Sequence, residues 1–287
     1  MLRCGALLAL LLTASACGGG AGTTTIPDGP LTVNLVAANA AVERFNTYRT
    51  LASVQQVGLD LDLSLGCQAH AQYLALNEID LRYVQLDAHN EDPLLPGYTA
   101  YGEEAGQSSV IYQSVTPVEA IDNWMRTFYH RLGLLNPNLY YVGFGSAAEY
   151  QVMDVVRGRV QGPYAVEGSV LYPPPGMTGV PLEYKAEIPH PIPGDLSLGT
   201  PITVEFFGGI GTHVALEQAA LFDAQTGGEI DCYLQHPGQP FLSGWDFAGV
   251  IALIPRDPLP AHRTLRVLVA GFVNGSAWSA EWTFATQ

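Results

Sequence analysis

The sequence predicts two folded regions, an α+β region followed by an all-β region. Helical periodicity marks the first half of the chain, whereas short apolar runs separated by proline and glycine fill the part after about residue 160. The chain has 287 residues and is 48% hydrophobic and 14% charged. At about 150 residues per domain, this composition can fill two modest cores. We therefore expect a mixed domain at residues 37–160 and a β-sandwich at residues 165–287.

The N-terminus predicts export. Met1-Leu2-Arg3 is a short basic start, and Ala6 to Leu12 is an apolar run too short to span a bilayer. The small residues before Cys17 are typical of a bacterial lipoprotein signal at residues 1–17, with cleavage before Cys17 and lipid on its thiol; an ordinary secretory signal is the alternative. Residues 18–36 read as a flexible linker. We expect a protein of the bacterial cell envelope, lipid-anchored or secreted, that meets the membrane only through this anchor.

The first region shows the signals of three helices and two strands. Val42, Phe45 and Tyr48 recur at steps of three, which predicts one buried helix face. Thr116 and Glu119 form a capping box with proline at the first helical position between them, which predicts a helix start. Helices are predicted at residues 38–51, at residues 62–77 and from Thr116 to a point close to His130, and strands at residues 140–146 and 151–157.

The second region reads as a series of short strands. Apolar and polar residues alternate over residues 264–269, and Asn274-Gly275 predicts a hairpin turn. Several short strands with turn signals between them predict an all-β sandwich. The closing Trp282-Thr283-Phe284-Ala285-Thr286 resembles the last strand of bacterial Ig-like domains, which implies an architecture but says nothing about activity. Strands are predicted at residues 202–207, 219–222, 250–254, 265–270 and 278–285.

Two histidines about forty positions apart sit in recognisable local frames. The first frame is His89-Asn90-Glu91-Asp92, followed by Pro96-Gly97-Tyr98. The second runs from His130-Arg131 through Leu134-Leu135 to Val142-Gly143-Phe144-Gly145. Over residues 37–160 the chain resembles the bacterial form of the CAP superfamily, the SCP-like domains of cysteine-rich secretory proteins, antigen 5 and pathogenesis-related 1. The resemblance implies an α-β-α sandwich.

The CAP resemblance also implies a cavity built from two histidines and two acidic residues, and it carries over to His89 and His130. Gly102-Glu103-Glu104 stands where the family has Gly-Glu-Asn, with Glu in place of Asn. Glu103 and Glu104 are therefore candidate acids of the cleft. Glu91 is a third candidate, because a residue two positions after His89 lies on the same side of an extended segment.

The chemistry of these residues points to metal or ligand binding. Neutral imidazole is the commonest metal ligand, and two histidines with one carboxylate form a known open metal site. We expect His89 and His130, with Glu91 or Glu103, to hold a divalent cation such as Zn, Mg or Ca. The alternative is that both histidines are partly buried and bonded to backbone. His70 is expected at a helix surface or interface. The second region contains His190, His213, His236 and His262 without a common spacing, and His190 and His236, each followed by proline, are interpreted as turn residues and not as metal ligands.

The charge of the chain limits its possible binding partners, and its cysteine content limits its possible disulfides. The formal net charge is −15 and Lys185 is the only lysine, which argues against nucleic acid or an anionic membrane surface as a partner, since both need clustered cations. Cys67 and Cys232 remain after the signal region. They could bridge the two domains in an oxidising compartment, or they could be two separately buried thiols.

Binding is therefore favoured over catalysis. The chain has no G-x-S-x-G and no H-E-x-x-H frame, so hydrolysis would need a metal-bound or histidine-activated water. The favoured function is a binding module for a divalent cation, a lipid or a small ligand, with cell-surface or envelope components as partners. A metal-assisted or histidine-dependent hydrolase of the envelope and a purely structural or adhesive surface protein are the alternatives.

Overall fold

A computed structural model describes residues 31–160, 168–194, 197–208, 212–244 and 247–287. The predicted signal peptide with Cys17 lies outside the described residues, as does most of the predicted linker. None of the described helices is both long enough and apolar enough to cross a membrane.

The first region contains helices and a small sheet. Its helices are α1 (Leu35–Leu51), α2 (Leu61–Leu76), α3 (Leu81–Val84), a 3-10 helix (Gln85–His89), α4 (Ala100–Gln107), α5 (Pro117–Trp124) and α6 (Tyr129–Leu134). Its strands are β1 (Gly58–Leu59), β2 (Ser109–Gln113), β3 (Tyr141–Ala147) and β4 (Tyr150–Asp154), in the sheet order β1-β3-β4-β2. The predicted helix start is confirmed, because Thr116 is the N-cap of α5 and its Oγ1 accepts from the Glu119 backbone N–H at 3.1 Å.

Helices cover both faces of this sheet. Val142 and Phe144 of β3 point into one apolar core with α1 and α5, whereas Val152 of β4 joins a second core with α2 and α4. The alternating Gly143 and Gly145 face α2, whose backbone lies so close that a Cβ at either position would overlap it. The V-G-F-G motif therefore provides one apolar face and one face bare enough for a helix. The predicted α-β-α sandwich is confirmed.

The second region is a β-sandwich of two sheets. Its strands are β5 (Gly168–Tyr172), β6 (Ile202–Phe207), β7 (Val214–Asp223), β8 (Glu229–Ile230), β9 (Cys232–Gln235), β10 (Val250–Pro255), β11 (Thr264–Val273) and β12 (Ser276–Ala285). The sheet orders are β5-β6-β10-β9 and β12-β11-β7-β8. Ile202, Val204, Val267 and Phe284 meet in the core between them. The hairpin prediction is confirmed, since Asn274 and Gly275 connect β11 and β12 with φ of 51° and 80°.

The two regions pack against each other across the outer face of the β5-β6-β10-β9 sheet. Phe128, between α5 and α6, is fully buried against Leu198, Ala252 and Ile254. The Arg131 guanidinium donates from Nη2 to the Pro201 carbonyl at 2.8 Å. One sheet of the sandwich is thus covered on both faces, which explains why nearly every residue of β6 is buried.

Some predicted elements differ from the structure. The helix beginning after Thr116 ends at Trp124 and a separate α6 begins at Tyr129, so the prediction of one helix reaching His130 was wrong. The inward residues predicted on it are nevertheless buried, including Trp124 and Phe128. Cys67 and Cys232 are free thiols, which corresponds to the alternative of two separate thiols.

Candidate functional site

His89 and His130 line the same cavity, which has a volume of about 230 Å³. The cavity lies where the 3-10 helix, strand β2 and the start of α6 meet a segment that precedes β6. Its lining mixes apolar and polar side chains, among them Leu81, Ile111, Gln113, Glu187 and Ile188. The two histidine frames, separate in sequence, therefore meet in space.

His89 is held by a backbone carbonyl. It is the last residue of the 3-10 helix, and its Nδ1 lies 2.8 Å from the Gly106 carbonyl oxygen of α4. Because a carbonyl only accepts, Nδ1 must carry the proton. Neutral His89 then has its lone pair on Nε2, the atom that a cation would need.

Burial lowers the pKa of His89 below its ordinary value; the Gly106 hydrogen bond opposes this shift, and the charge of His130 adds to it. His130 affects the pKa of His89 because the two rings lie close to each other. A lowered pKa keeps His89 neutral over a wider pH range, and the neutral form is the one that binds metals.

His130 is held by a carboxylate. Its Nδ1 lies 2.8 Å from Glu187 Oε2, and the Glu187 side chain has no exposed surface. Although the two atoms are close, His130 Nδ1 forms no hydrogen bond to any described residue. The contact is therefore an electrostatic one at short range. Metal-binding histidines usually donate the second ring N–H to a carboxylate or a carbonyl. His89 has this hydrogen bond, whereas His130 has a carboxylate at short distance without the hydrogen bond.

Glu91 pairs with a different histidine. Its Oε1 lies 2.9 Å from His70 Nδ1, and its Oε2 accepts from the Thr99 backbone N–H at 2.9 Å. Both side chains of the pair are fully buried. Gly102 and Gly106, one turn apart in α4, leave the room that the pair occupies, because a Cβ at either glycine would overlap it.

Glu103 and Glu104 also lie outside the lining of the His89/His130 cavity. Glu103 accepts from Tyr98 Oη and Gln107 Nε2, each at 3.3 Å. Glu104 is exposed and lies 3.4 Å from Arg157 Nη1. The structure therefore brings His89 and His130 together but does not bring Glu91, Glu103 or Glu104 to them.

The cavity offers two imidazole rings as candidate metal donors. Within the described ranges, no three His, Cys, Asp or Glu side chains form a group that could hold a metal ion. Two protein nitrogens would leave the remaining coordination positions to water or to a bound ligand, as in open metal sites.

One polar residue of this neighbourhood, Glu187, could not be predicted from the sequence, and a second, His70, lies at one of the two kinds of place expected for it, an interface between helices. Glu187 lies 57 positions after His130 and follows no motif of the first region. His70 was expected at a helix surface or interface; it is completely buried, at the contact of α2 with α4. A signal for His70 was available in the sequence, because Cys67, Ala71 and Leu74 around it predict a buried face.

Comparison with known proteins agrees with the motifs. Residues 42–156 match the sequence model described as the Cysteine-rich secretory protein family, CAP, and the recognition of a CAP domain is thereby confirmed. A solved structure, described as an extracellular protein containing a SCP domain from Bacillus anthracis str. Ames, is 17% identical with a TM-score of 0.36, and the match covers 45% of each chain. No curated protein matches this chain.

Proposed function

We propose that this protein is a binding module that holds a divalent cation at the His89/His130 cavity. The observation that carries the proposal is the shared arrangement of the two rings. Both rings line the same cavity, and each Nδ1 lies 2.8 Å from an oxygen atom, that of the Gly106 carbonyl for His89 and that of the Glu187 carboxylate for His130. This leaves Nε2 of both rings for a cation when the rings are neutral.

Zinc suits this pair better than magnesium or calcium. Imidazole nitrogen is a ligand for Zn²⁺, whereas Mg²⁺ and Ca²⁺ prefer sets of oxygen ligands. The carboxylates predicted to complete a site for such cations, Glu91 and Glu103, have other partners. A zinc ion with two protein nitrogens keeps positions open for water or a small ligand.

The size of the cavity favours a small ligand over a lipid. Its volume of about 230 Å³ is below the roughly 300–1,000 Å³ of pockets that enclose a drug-sized molecule. A cation with its water shell, or a small polar molecule bound to the cation, fits this space. We therefore place the ion first and a small metal-bound ligand second among the candidates.

Calorimetric titration of Zn²⁺ into residues 18–287 tests the proposal. We expect saturable binding that His89→Ala or His130→Ala weakens by at least about 100-fold, because losing a ligand costs more than the 10–100-fold typical of outer-shell partners. His213→Ala is the matched control, since His213 is exposed in the second region. Binding that survives both cavity substitutions, or no saturable binding at all, would contradict the proposal.

We also propose that the protein is a lipid-anchored component of the bacterial cell envelope. The support is the sequence pattern that ends at Cys17. Metabolic labelling with an alkyne fatty acid should mark the wild-type chain and leave Cys17→Ser unlabelled, with Cys232→Ser as the control. Equal labelling of the wild type and the Cys17→Ser variant would contradict anchoring at this residue.

A further inference from the structure

Glu187 is a buried acid that the second part of the chain places beside the cavity. It lies beyond residues 42–156, the segment that matches the CAP family, and precedes strand β6. Its side chain is fully buried, and Ala186, Glu187 and Ile188 line the same cavity as His89 and His130. One wall of the cavity therefore comes from outside the matched domain.

The Glu187 carboxylate is surrounded by hydrogen-bond donors. Oε1 accepts from the backbone N–H groups of Phe128 at 2.6 Å and Tyr129 at 3.1 Å and from the Tyr184 hydroxyl at 3.2 Å. Oε2 accepts from the N–H groups of Tyr129 at 3.0 Å and His130 at 3.2 Å. The same oxygen lies 2.8 Å from His130 Nδ1. One carboxylate thus holds the backbone of His130 by a hydrogen bond and places a negative charge 2.8 Å from Nδ1 of its ring.

A carboxylate group fits this environment. It offers acceptors on both oxygens, whereas the amide of a glutamine would turn one NH₂ group towards backbone N–H donors. Aspartate is shorter by one methylene and would not reach both oxygen positions from the same backbone. The contacts of residue 187 therefore favour glutamate over both glutamine and aspartate at this position.

We infer that Glu187 is a positioning residue of the cation site: it keeps the proton of His130 on Nδ1 and so presents Nε2 to the cavity. This inference rests on the proposed cation binding. Its consequence is that the site is composite, with ligand nitrogens from the CAP domain and the orienting carboxylate from the following region. Cation binding and the packing of residues 184–188 against α6 then stabilise each other.

The first test is the tautomer of His130 in the metal-free wild-type protein. Nitrogen-15 NMR of the imidazole rings at about pH 8.5, where an ordinary histidine is neutral, should show the proton of His130 on Nδ1. A proton on Nε2 would overturn the inference. This reading requires neither a variant nor a metal, so it stands even if the protein binds no zinc.

The second test compares Glu187→Gln with Glu183→Gln in the full chain lacking residues 1–17. Glu183 is an exposed acid in the same segment and serves as the matched control. We expect Glu187→Gln to weaken Zn²⁺ binding about 10- to 100-fold, as expected for an orienting partner, and to move the His130 proton towards Nε2. Glu183→Gln should change neither.

The outcomes separate this inference from the proposed function. A folded Glu187→Gln variant with wild-type zinc affinity and an unchanged tautomer overturns the role of Glu187 and leaves cation binding intact. A wild type without zinc binding overturns the proposed function, and the tautomer alone then decides the role of Glu187. If Glu187→Gln fails to fold, the wild-type tautomer decides in the same way.

Discussion

At the residue scale, the buried His70–Glu91 pair is a structural feature of the CAP domain. Replacing Glu91 by Ala leaves His70 without its carboxylate inside the protein. Breaking a buried pair by removing one partner typically costs about 3–5 kcal/mol, so we expect a loss of this size in urea denaturation. Zinc affinity should stay within about twofold of the wild type, since Glu91 does not line the His89/His130 cavity. A large loss of zinc affinity in a folded Glu91→Ala variant would contradict this and show that Glu91 takes part in the cation site.

A second prediction at this scale concerns Glu205 on β6. Burial raises the pKa of its carboxyl from 4.5 to about 8, although the charges of Arg131 and Arg159 act in the opposite direction. The folded chain therefore keeps a proton that the unfolded chain releases between these pH values. The free energy of unfolding should therefore fall as the pH rises from about 4.5 to about 8, by up to about 1.4 kcal/mol for each pH unit.

Urea denaturation across this pH range checks the Glu205 prediction. Glu205→Gln should remove this part of the pH dependence, because an amide does not titrate. Glu229→Gln, at an exposed acid of the same region, should leave the slope unchanged. Identical slopes in the wild type and Glu205→Gln would show that another group causes the decline.

At the element scale, the contact of α2 with β3 depends on glycine. A Cβ on Gly145 would overlap the backbone of Cys67 and Gln68 in α2. Gly145→Ala must therefore push the helix off the sheet, and overpacking of this kind costs about 1–3 kcal/mol. Thermal denaturation measures the loss. Gly228→Ala is the control, because its Cβ would meet only the Thr226 hydroxyl at 3.3 Å; equal effects of the two substitutions would contradict this account.

The differences between predicted and observed helices and strands show what a local sequence pattern cannot predict. The sequence predicts a helix from Thr116 to near His130, yet the chain starts a new helix at Tyr129. The N–H groups of Phe128, Tyr129 and His130 donate to Glu187 instead of to the preceding turn. An acceptor almost sixty positions away leaves no trace in helical periodicity. Strand β2 escaped prediction for another reason: Val110 and Ile111 are both buried, so it lacks alternation.

At the scale of the whole molecule, Phe128 joins the two regions. Its ring is fully buried and lies 5.8 Å from the ring centre of Phe241 in the second region. Phe128→Ala should cost about 3–5 kcal/mol and separate the unfolding of the two regions into distinct calorimetric transitions. Phe272→Ala, at a ring with 38% exposure, should change little. A single unshifted transition for Phe128→Ala would mean that the two regions do not depend on this contact.

The contribution of both regions to the cavity explains which residues of the site could be predicted from the sequence. His89 and His130 stand in local frames that the CAP resemblance identifies, and the fold brings them to one cavity. The acid next to His130 could not be predicted, because Glu187 comes from the region after the matched domain. Glu91 was an expected partner of His89 because it is two positions away, but the chain turns after the 3-10 helix and directs its carboxylate to His70.

The proposed function requires that His89 and His130 hold one cation between them. An anomalous difference map recorded at the zinc edge, from crystals of residues 18–287 grown with Zn²⁺, tests it most directly. We expect one strong peak in the cavity, about 2.0–2.1 Å from Nε2 of both rings. An empty cavity, or a zinc ion bound by other residues, would contradict the proposed cation binding by His89 and His130.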